Sequence, residues 1–271
     1  MGQELIAPLR VVFLSSGGLL GDAVLKRLVS NGRFDVAGVV RSRRVMIPKA
    51  GFLRGAAAYF NRCGILYTVY IWAITTFAEF LGLATGTGSI TARCRKLGIP
   101  MLHTRDVNSP SGLDFIQKKI PQLLVIAHFD QLLHPPLCDR VGLAVLNIHP
   151  SPLPHCRGIE PVLHAMLARG SYGTTVHRLV ESIDAGAVLA TSTHVPKRNQ
   201  SVLRVTHQLI LDGMGLLEKL SDDQILKGSG TPQQGDSTYH SWPEAKQVRQ
   251  LYFSGKQLMK PRDINFFFRG S

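Results

Sequence analysis

One short run does most to restrict the folds open to this chain. Gln122-Leu-Leu-Val-Ile-Ala127 is uncharged, and apolar at every position after Gln122. A strand with one wet face alternates, whereas a strand apolar on both faces belongs inside a parallel sheet covered by helices. The surrounding segments agree. Leu9–Ser15 reads as a strand, Ser16-Gly17-Gly18 as a turn, Leu19–Val29 as a helix and Phe34–Val40 as a second strand. That order opens an α/β unit. Further strands are expected at Ile99–Thr104, Thr174–Val180 and Ala187–Val195. Helices are expected at Gly88–Leu97, Ser111–Lys119, Ile159–Ala168 and Val202–Leu220, with a short one near Pro136–Arg140. The predicted fold is therefore α/β: an open, mostly parallel, Rossmann-like sheet with helices on both faces. It carries a helical insertion over 41–86, within a main domain of 1–225, and ends in a polar to basic extension over 226–271.

Open α/β sheets bind ligands beyond the carboxyl ends of their strands. Two such ends carry chemistry. The apolar run Leu143–Leu146 leads into Asn147-Ile-His149, and residues i and i+2 of a strand share a face. Pro150, Pro152 and Pro154 then make a stiff, non-helical wall. An amide and an imidazole side by side against such a wall suit the stabilisation of a developing oxyanion. The other end is His128-Phe129-Asp130-Gln131-Leu132-Leu133. In the first turn, the helix N-terminus after Gly18 suits an anion, with Ser16 and Gly17 beside it. Gly17, Gly18 and Gly21 are misplaced for the dinucleotide fingerprint, and a plain strand-to-helix turn is the favoured reading of them.

The insertion is compositionally distinct. Arg41, Arg43, Arg44, Lys49, Arg54 and Arg62 precede an uncharged run, Cys63–Ala78, and no acidic residue falls between Asp35 and Glu79. The uncharged run is too short to span a bilayer as a helix. Thr68, Trp72, Thr75, Thr76 and Glu79 trace a polar stripe at helical spacing. A basic run beside an apolar helix is the pattern of a helix lying on an anionic membrane surface over 41–83; burial in the core or in a homodimer contact gives the same pattern. The net charge of +13 fits a nucleic acid, such a membrane or an anionic small molecule. Four cysteines without a C-x-x-C pair argue against a zinc site and fit a reducing cytoplasm, with the inner membrane face as the peripheral option. No metal ligand set is evident.

Asn147-Ile-His149-Pro-Ser-Pro-Leu-Pro-His-Cys-Arg157-Gly158, followed by Ser182-Ile-Asp184-Ala-Gly186, resembles the catalytic domain of 10-formyltetrahydrofolate-dependent formyltransferases over roughly Leu9–Leu220. That family includes glycinamide ribonucleotide, methionyl-tRNA and amino-sugar formyltransferases. The resemblance implies that Asn147, His149 and Asp184 are catalytic. Asn147, through its amide N–H, and protonated His149 would stabilise the formyl oxygen, and Asp184 would orient His149 and favour its protonated form. Phe129, Gln131, Leu132 and Leu133 would cradle the folate, opposed by Val180, Glu181 and Ser182. Ser151, Arg157 and Gly158 would face the amine, with Ser16 and Gly17 at its anionic end.

The implied reaction is formyl transfer from 10-formyltetrahydrofolate to a primary amine, with an amino sugar or its nucleotide- or lipid-linked form as the expected acceptor. Methionyl-tRNA is the runner-up acceptor, although the family's tRNA branch carries a larger C-terminal domain than 226–271 can supply. A formyltetrahydrofolate hydrolase using the same trio and a non-catalytic folate-binding scaffold are the remaining alternatives.

Overall fold

The computed structural model describes residues 7–44, 46, 51–134 and 143–263. The short helix expected near Pro136–Arg140 lies outside them. A seven-stranded sheet runs in the order β3-β2-β1-β4-β5-β7-β8. It is built from β1 (Leu9–Ser15), β2 (Phe34–Ser42), β3 (Met101–Thr104), β4 (Leu123–Ala127), β5 (Ala144–His149), β7 (Tyr172–Arg178) and β8 (Val188–His194). The first five are parallel neighbours; β7 and β8 add antiparallel at one edge. Every residue of β4 is buried, as its all-apolar composition requires. Its odd and even positions feed separate apolar clusters on the two sheet faces. Strand order reverses between β1 and β4, so the crevice at their carboxyl ends is where such a sheet takes a ligand. Ser16 N–H donates to the His128 carbonyl across that point, at 2.7 Å.

Helices α1 (Gly18–Ser30), α4 (Ile90–Leu97), α5 (Pro110–Lys118), α6 (Pro161–Ala168) and α7 (Val202–Lys219) sit near their expected places. The boundaries moved by a residue or two for chemical reasons. Ser89 and Ser109 cap α4 and α5 by accepting from the Ala92 and Gly112 N–H groups.

The insertion is longer and less regular than the run Cys63–Ala78 suggested. It forms α2 (Phe52–Trp72), a π-helical turn (Ala73–Phe77) and α3 (Ala78–Thr85), with Gly64 breaking helical geometry at φ 79°. Tyr59, Cys63, Tyr67, Tyr70, Ile74 and Ala78 recur every three or four residues and are buried in the main core. The π turn lets the chain press its backbone against the first turn of α1. A Cβ on Gly18, already at φ +66°, would sit 2.0 Å from the Ile74 carbonyl oxygen. The two glycines of that turn thus serve the close approach of the insertion.

Residues 228–263 pack back onto the domain. Thr231 bridges to Val188. β9 (Tyr239–His240) pairs in parallel with β6 (Arg157–Gly158). Helix α8 (Ala245–Phe253) buries Val248 and Leu251, and Trp242 meets the Tyr59 ring edge-on at 5.0 Å.

Candidate active site

A cavity of about 980 Å³ opens beyond the carboxyl ends of β1, β4 and β5. Asn147 and His149 reach it from the same face of β5, as their i, i+2 spacing predicts, and Asp184 closes on them from the loop after β7. Asp184 Oδ1 accepts from Asn147 Nδ2 at 3.1 Å, and Oδ2 accepts from the Gly158 N–H at 2.8 Å. His149 Nδ1 lies 3.5 Å from Asp184 Oδ2. The three residues named from the sequence therefore form one cluster.

Two features of the cluster differ from expectation. First, both Asn147 N–H groups are engaged, one by Asp184 and the other by His177 Nε2 at 3.1 Å. His177 Nδ1 donates to the Arg178 carbonyl at 2.8 Å, which leaves Nε2 as the acceptor. Turning the amide over would set its carbonyl oxygen against the Asp184 carboxylate, so this orientation is chemically fixed. Second, burial works against a protonated His149. Burial lowers its pKa below 6.5, although Asp184 and the Cys156 carbonyl oppose that shift. A carbonyl only accepts, so the 2.9 Å contact from Nε2 to Cys156 O assigns a proton to Nε2, with Nδ1 facing Asp184 Oδ2. For Asp184, burial pushes the pKa up, but His149, His177 and the Gly158 N–H outweigh it and hold the carboxyl well below the usual range.

Of the residues expected around the folate, Phe129, Gln131, Leu132, Leu133, Val180 and Glu181 line the cavity. Gln131 lines it with its amide already committed: Oε1 accepts from the Val107 N–H, and Nε2 donates to Ser42 and the Thr104 carbonyl. It fixes the loop, and its side chain is not free to read a ring. Leu133 is buried in the second apolar cluster, whereas Leu132 is exposed. Ser182 is exposed and outside the cavity lining, because the chain turns outward there.

Among the residues expected to meet the amine, Gly158 and Ser16 line the cavity. Ser151 does not. It is buried, with its hydroxyl on the His155 carbonyl and its own carbonyl on Thr175. Arg157 is turned away onto Gln233 Oε1, and Gln233 Nε2 in turn donates to the Asp184 and Gly186 carbonyls, both at 2.8 Å. Arg157 thus braces the Asp184 loop. Gly17 is also outside the lining, its N–H on Ser15 Oγ.

The helix N-terminus after Gly18 does hold an anion, and the anion is Glu79 from the insertion. Its buried carboxylate accepts from Gly18 N–H at 3.0 Å, Ile90 N–H at 3.1 Å and Ser89 Oγ at 2.7 Å, and faces Arg41 at 3.7 Å. The position expected for a substrate anion is filled by the chain itself. The whole polar stripe Thr68, Trp72, Thr75, Thr76 and Glu79 lines the cavity.

Four residues of the site escaped sequence reasoning: His177, Gln233, Glu79 as an internal anion, and Glu160. Of these, His177 had a signal. It sits opposite Asn147 in the antiparallel β5–β7 register, as a lone imidazole in an alternating strand. Glu160, expected only to favour the start of α6, adopts φ 53° and accepts from the Tyr67 hydroxyl at 2.9 Å within the cavity lining. Burial pushes its carboxyl up to about 7. Met46, His128 and Asp184 are also left-handed, so four strained non-glycine residues line one cavity. Among the described residues no group of His, Cys, Asp or Glu has the clustering of a metal site.

A family profile described as formyl transferase matches residues 91–209. Methionyl-tRNA formyltransferase of Bacillus licheniformis is 31% identical over 156 residues, covering 57% of this chain and 49% of that protein. The Finegoldia magna protein of the same name is 28% identical over 137 residues, covering 50% and 44%. The chain thus spans about half the length of the curated relatives it matches. Among solved structures, a sugar N-formyltransferase from Shewanella sp. superposes with a TM-score of 0.54 at 19% identity, over 86% of this chain and 76% of that one. Glycinamide ribonucleotide transformylase 1 from Symbiobacterium toebii gives 0.51 at 19% identity, over 80% and 89%. At that identity the superpositions establish the shared fold.

Proposed function

We propose, from the match of residues 91–209 to a formyl transferase profile, that the cavity of this chain transfers a formyl group from 10-formyltetrahydrofolate to a primary amine. One observation carries the reading: Asn147, His149 and Asp184 meet in a single cluster on the cavity wall. The cavity also fits the donor. Phe129, Leu132, Leu179 and Val180 offer an apolar slot for a flat heterocycle, with polar atoms of the catalytic cluster at one end.

When bound, the donor supplies an electrophilic formyl carbon and a nitrogen that departs with a proton. Neutral His149 accepts the proton lost by the attacking amine at Nδ1, holds it beside Asp184, and releases it to the departing nitrogen. Asp184 stabilises the imidazolium formed on the way. Asn147 keeps its bond to the ionised Asp184, the stronger of its two, and exchanges its His177 partner for the developing oxyanion. Glu160, at the left-handed start of α6, offers the cavity a carboxylate suited to an ammonium or sugar hydroxyl.

The acceptor we favour is an amino sugar, free or carrier-linked. Glu79 fills the first-turn anion position, so a phosphate on the acceptor must lie elsewhere. The likeness to methionyl-tRNA formyltransferases and the charge of +13 support a second acceptor, methionyl-tRNA. Salt separates the two, since binding of a polyanion weakens steeply with ionic strength and binding of a small sugar does not. The reaction itself is tested by Asn147→Ala, His149→Ala and Asp184→Asn, following tetrahydrofolate by absorbance with a panel of amines. Each change should cost about 10²–10³ in rate, the usual effect of losing one preorganised group. Activity that survives all three would overturn the assignment.

A further inference from the structure

The insertion helices have two apolar sides. One side is buried against the domain through Tyr59, Cys63, Tyr67, Tyr70, Ile74 and Ala78. The other is open to solvent: Leu53 is 81% exposed, Phe60 53%, Ile65 57% and Phe80 73%. The helical stretch is apolar enough for a membrane span by composition, yet only 28% of its most apolar window is buried. It cannot cross a bilayer, because one side is committed to the core and Gly64 breaks the helix. A polar protein surface does not leave so many large side chains in water without a partner.

Three further observations identify that partner. No acidic residue occurs between Asp35 and Glu79, while exposed Arg43, Arg54 and Arg62 belong to that stretch. The stretch therefore combines hydrocarbon with positive charge. Val69, Trp72, Phe80 and Leu83 on the insertion, with Leu132 and Val180 across from them, are both solvent-exposed and part of the catalytic cavity lining. The apolar surface is thus continuous with the cavity mouth. Finally, the cavity's polar catalytic end lies inside and its apolar rim outside, an arrangement matched to an amphiphile whose head is the reacting amine.

From these observations we infer that the exposed face of 53–83 docks on an anionic lipid bilayer, and that the amine acceptor is carried on a lipid. Anionic headgroups meet the arginines, the apolar side chains enter the acyl boundary, and the cavity mouth faces the membrane. The lipid-carried acceptor rests on the formyl-transfer reading; the docking face does not.

The test uses the full chain with vesicles of phosphatidylcholine alone or mixed with phosphatidylglycerol. The protein should sediment with the mixed vesicles and much less with the neutral ones. Phe60→Glu/Ile65→Glu, at exposed positions away from the cavity, should lower vesicle binding by at least about tenfold, as loss of inserted apolar area and added negative charge require. Its circular dichroism and melting temperature should match the wild type; if it melts early, Leu53→Ser/Phe60→Ser serves the same measurement. Equal sedimentation of variant and wild type overturns the proposal. So does a wild-type dimer that the variant converts to monomer without any vesicle uptake, which assigns the face to a second copy of this chain. In a second arm, a long-chain alkyl glycoside of an amino sugar, presented in mixed vesicles, should be formylated at least about tenfold more efficiently than the methyl glycoside, because the bilayer concentrates it at the cavity mouth. Equal turnover removes the lipid-carried acceptor. Vesicle binding without formylation of any amine refutes the reaction while the docking face stands.

Discussion

Replacing Glu79 by Ala tests the internal anion that joins the insertion to the sheet. Three backbone or side-chain donors, Gly18 N–H, Ile90 N–H and Ser89 Oγ–H, converge on this carboxylate at 2.7–3.1 Å. Arg41 faces it at 3.7 Å with only 16% of its side chain exposed, and its Nε has no hydrogen-bond partner. Truncation leaves a buried cation and several buried donors uncompensated, which costs about 3–5 kcal/mol for a pair of this kind. For a chain of this size that corresponds to a melting temperature lowered by about 10 °C. Differential scanning calorimetry reads it directly. Glu79→Gln keeps an acceptor for the N–H groups and loses the charge opposite Arg41, so it should fall between the two. The alanine variant also reopens the N-terminus of α1 to an external anion, so added phosphate should stabilise it more than the wild type through mass action. A melting temperature unchanged by Glu79→Ala, or one that phosphate raises equally in both proteins, would refute the claim that Glu79 occupies this position.

Two pH-dependent outcomes follow from the cavity. Burial holds Glu160 protonated up to about 7 against an ordinary 4.5, so the unfolded chain loses this proton first and stability falls as pH rises between those values. Glu160→Gln should therefore raise the melting temperature at pH 8, by the equivalent of at most about 3 kcal/mol, and leave it little changed at pH 4, where both states carry the proton; equal effects at both pH values would refute the raised pKa. Because burial lowers the pKa of His149 below 6.5, the acid limb of kcat/KM should fall below that value. Asp184 raises that pKa, so in Asp184→Asn the limb should move to still lower pH along with the loss in rate; a limb above 6.5, or one displaced upward by Asp184→Asn, would refute neutral His149 as the proton acceptor.

Much of this protein is legible without coordinates because its determinants are local. An apolar run such as Leu123–Ala127 has one stable home, the interior of a parallel sheet. Leu97-Gly98 ends a helix through contacts within a few residues. Asn147 and His149 share a face because a strand has a period of two. Asp184 needed more than spacing, since its loop reaches the pair only once β7 lies antiparallel to β5, and the family resemblance supplied it.

What the tertiary structure alone decided depends on contacts between distant segments. Glu79 and Gly18 lie 61 residues apart, and no pattern along the chain states that a carboxylate from the insertion will fill an N-terminus in the first βα unit. The tautomer of His149, the orientation of the Asn147 amide and the diversion of Arg157 onto Gln233 follow from partners that folding brings within about 3 Å, where hydrogen bonding discriminates. The two-sided insertion shows the same division. Its residues alone determine that it is apolar and flanked by basic charge, and only packing decides which side the core takes and which is left to solvent.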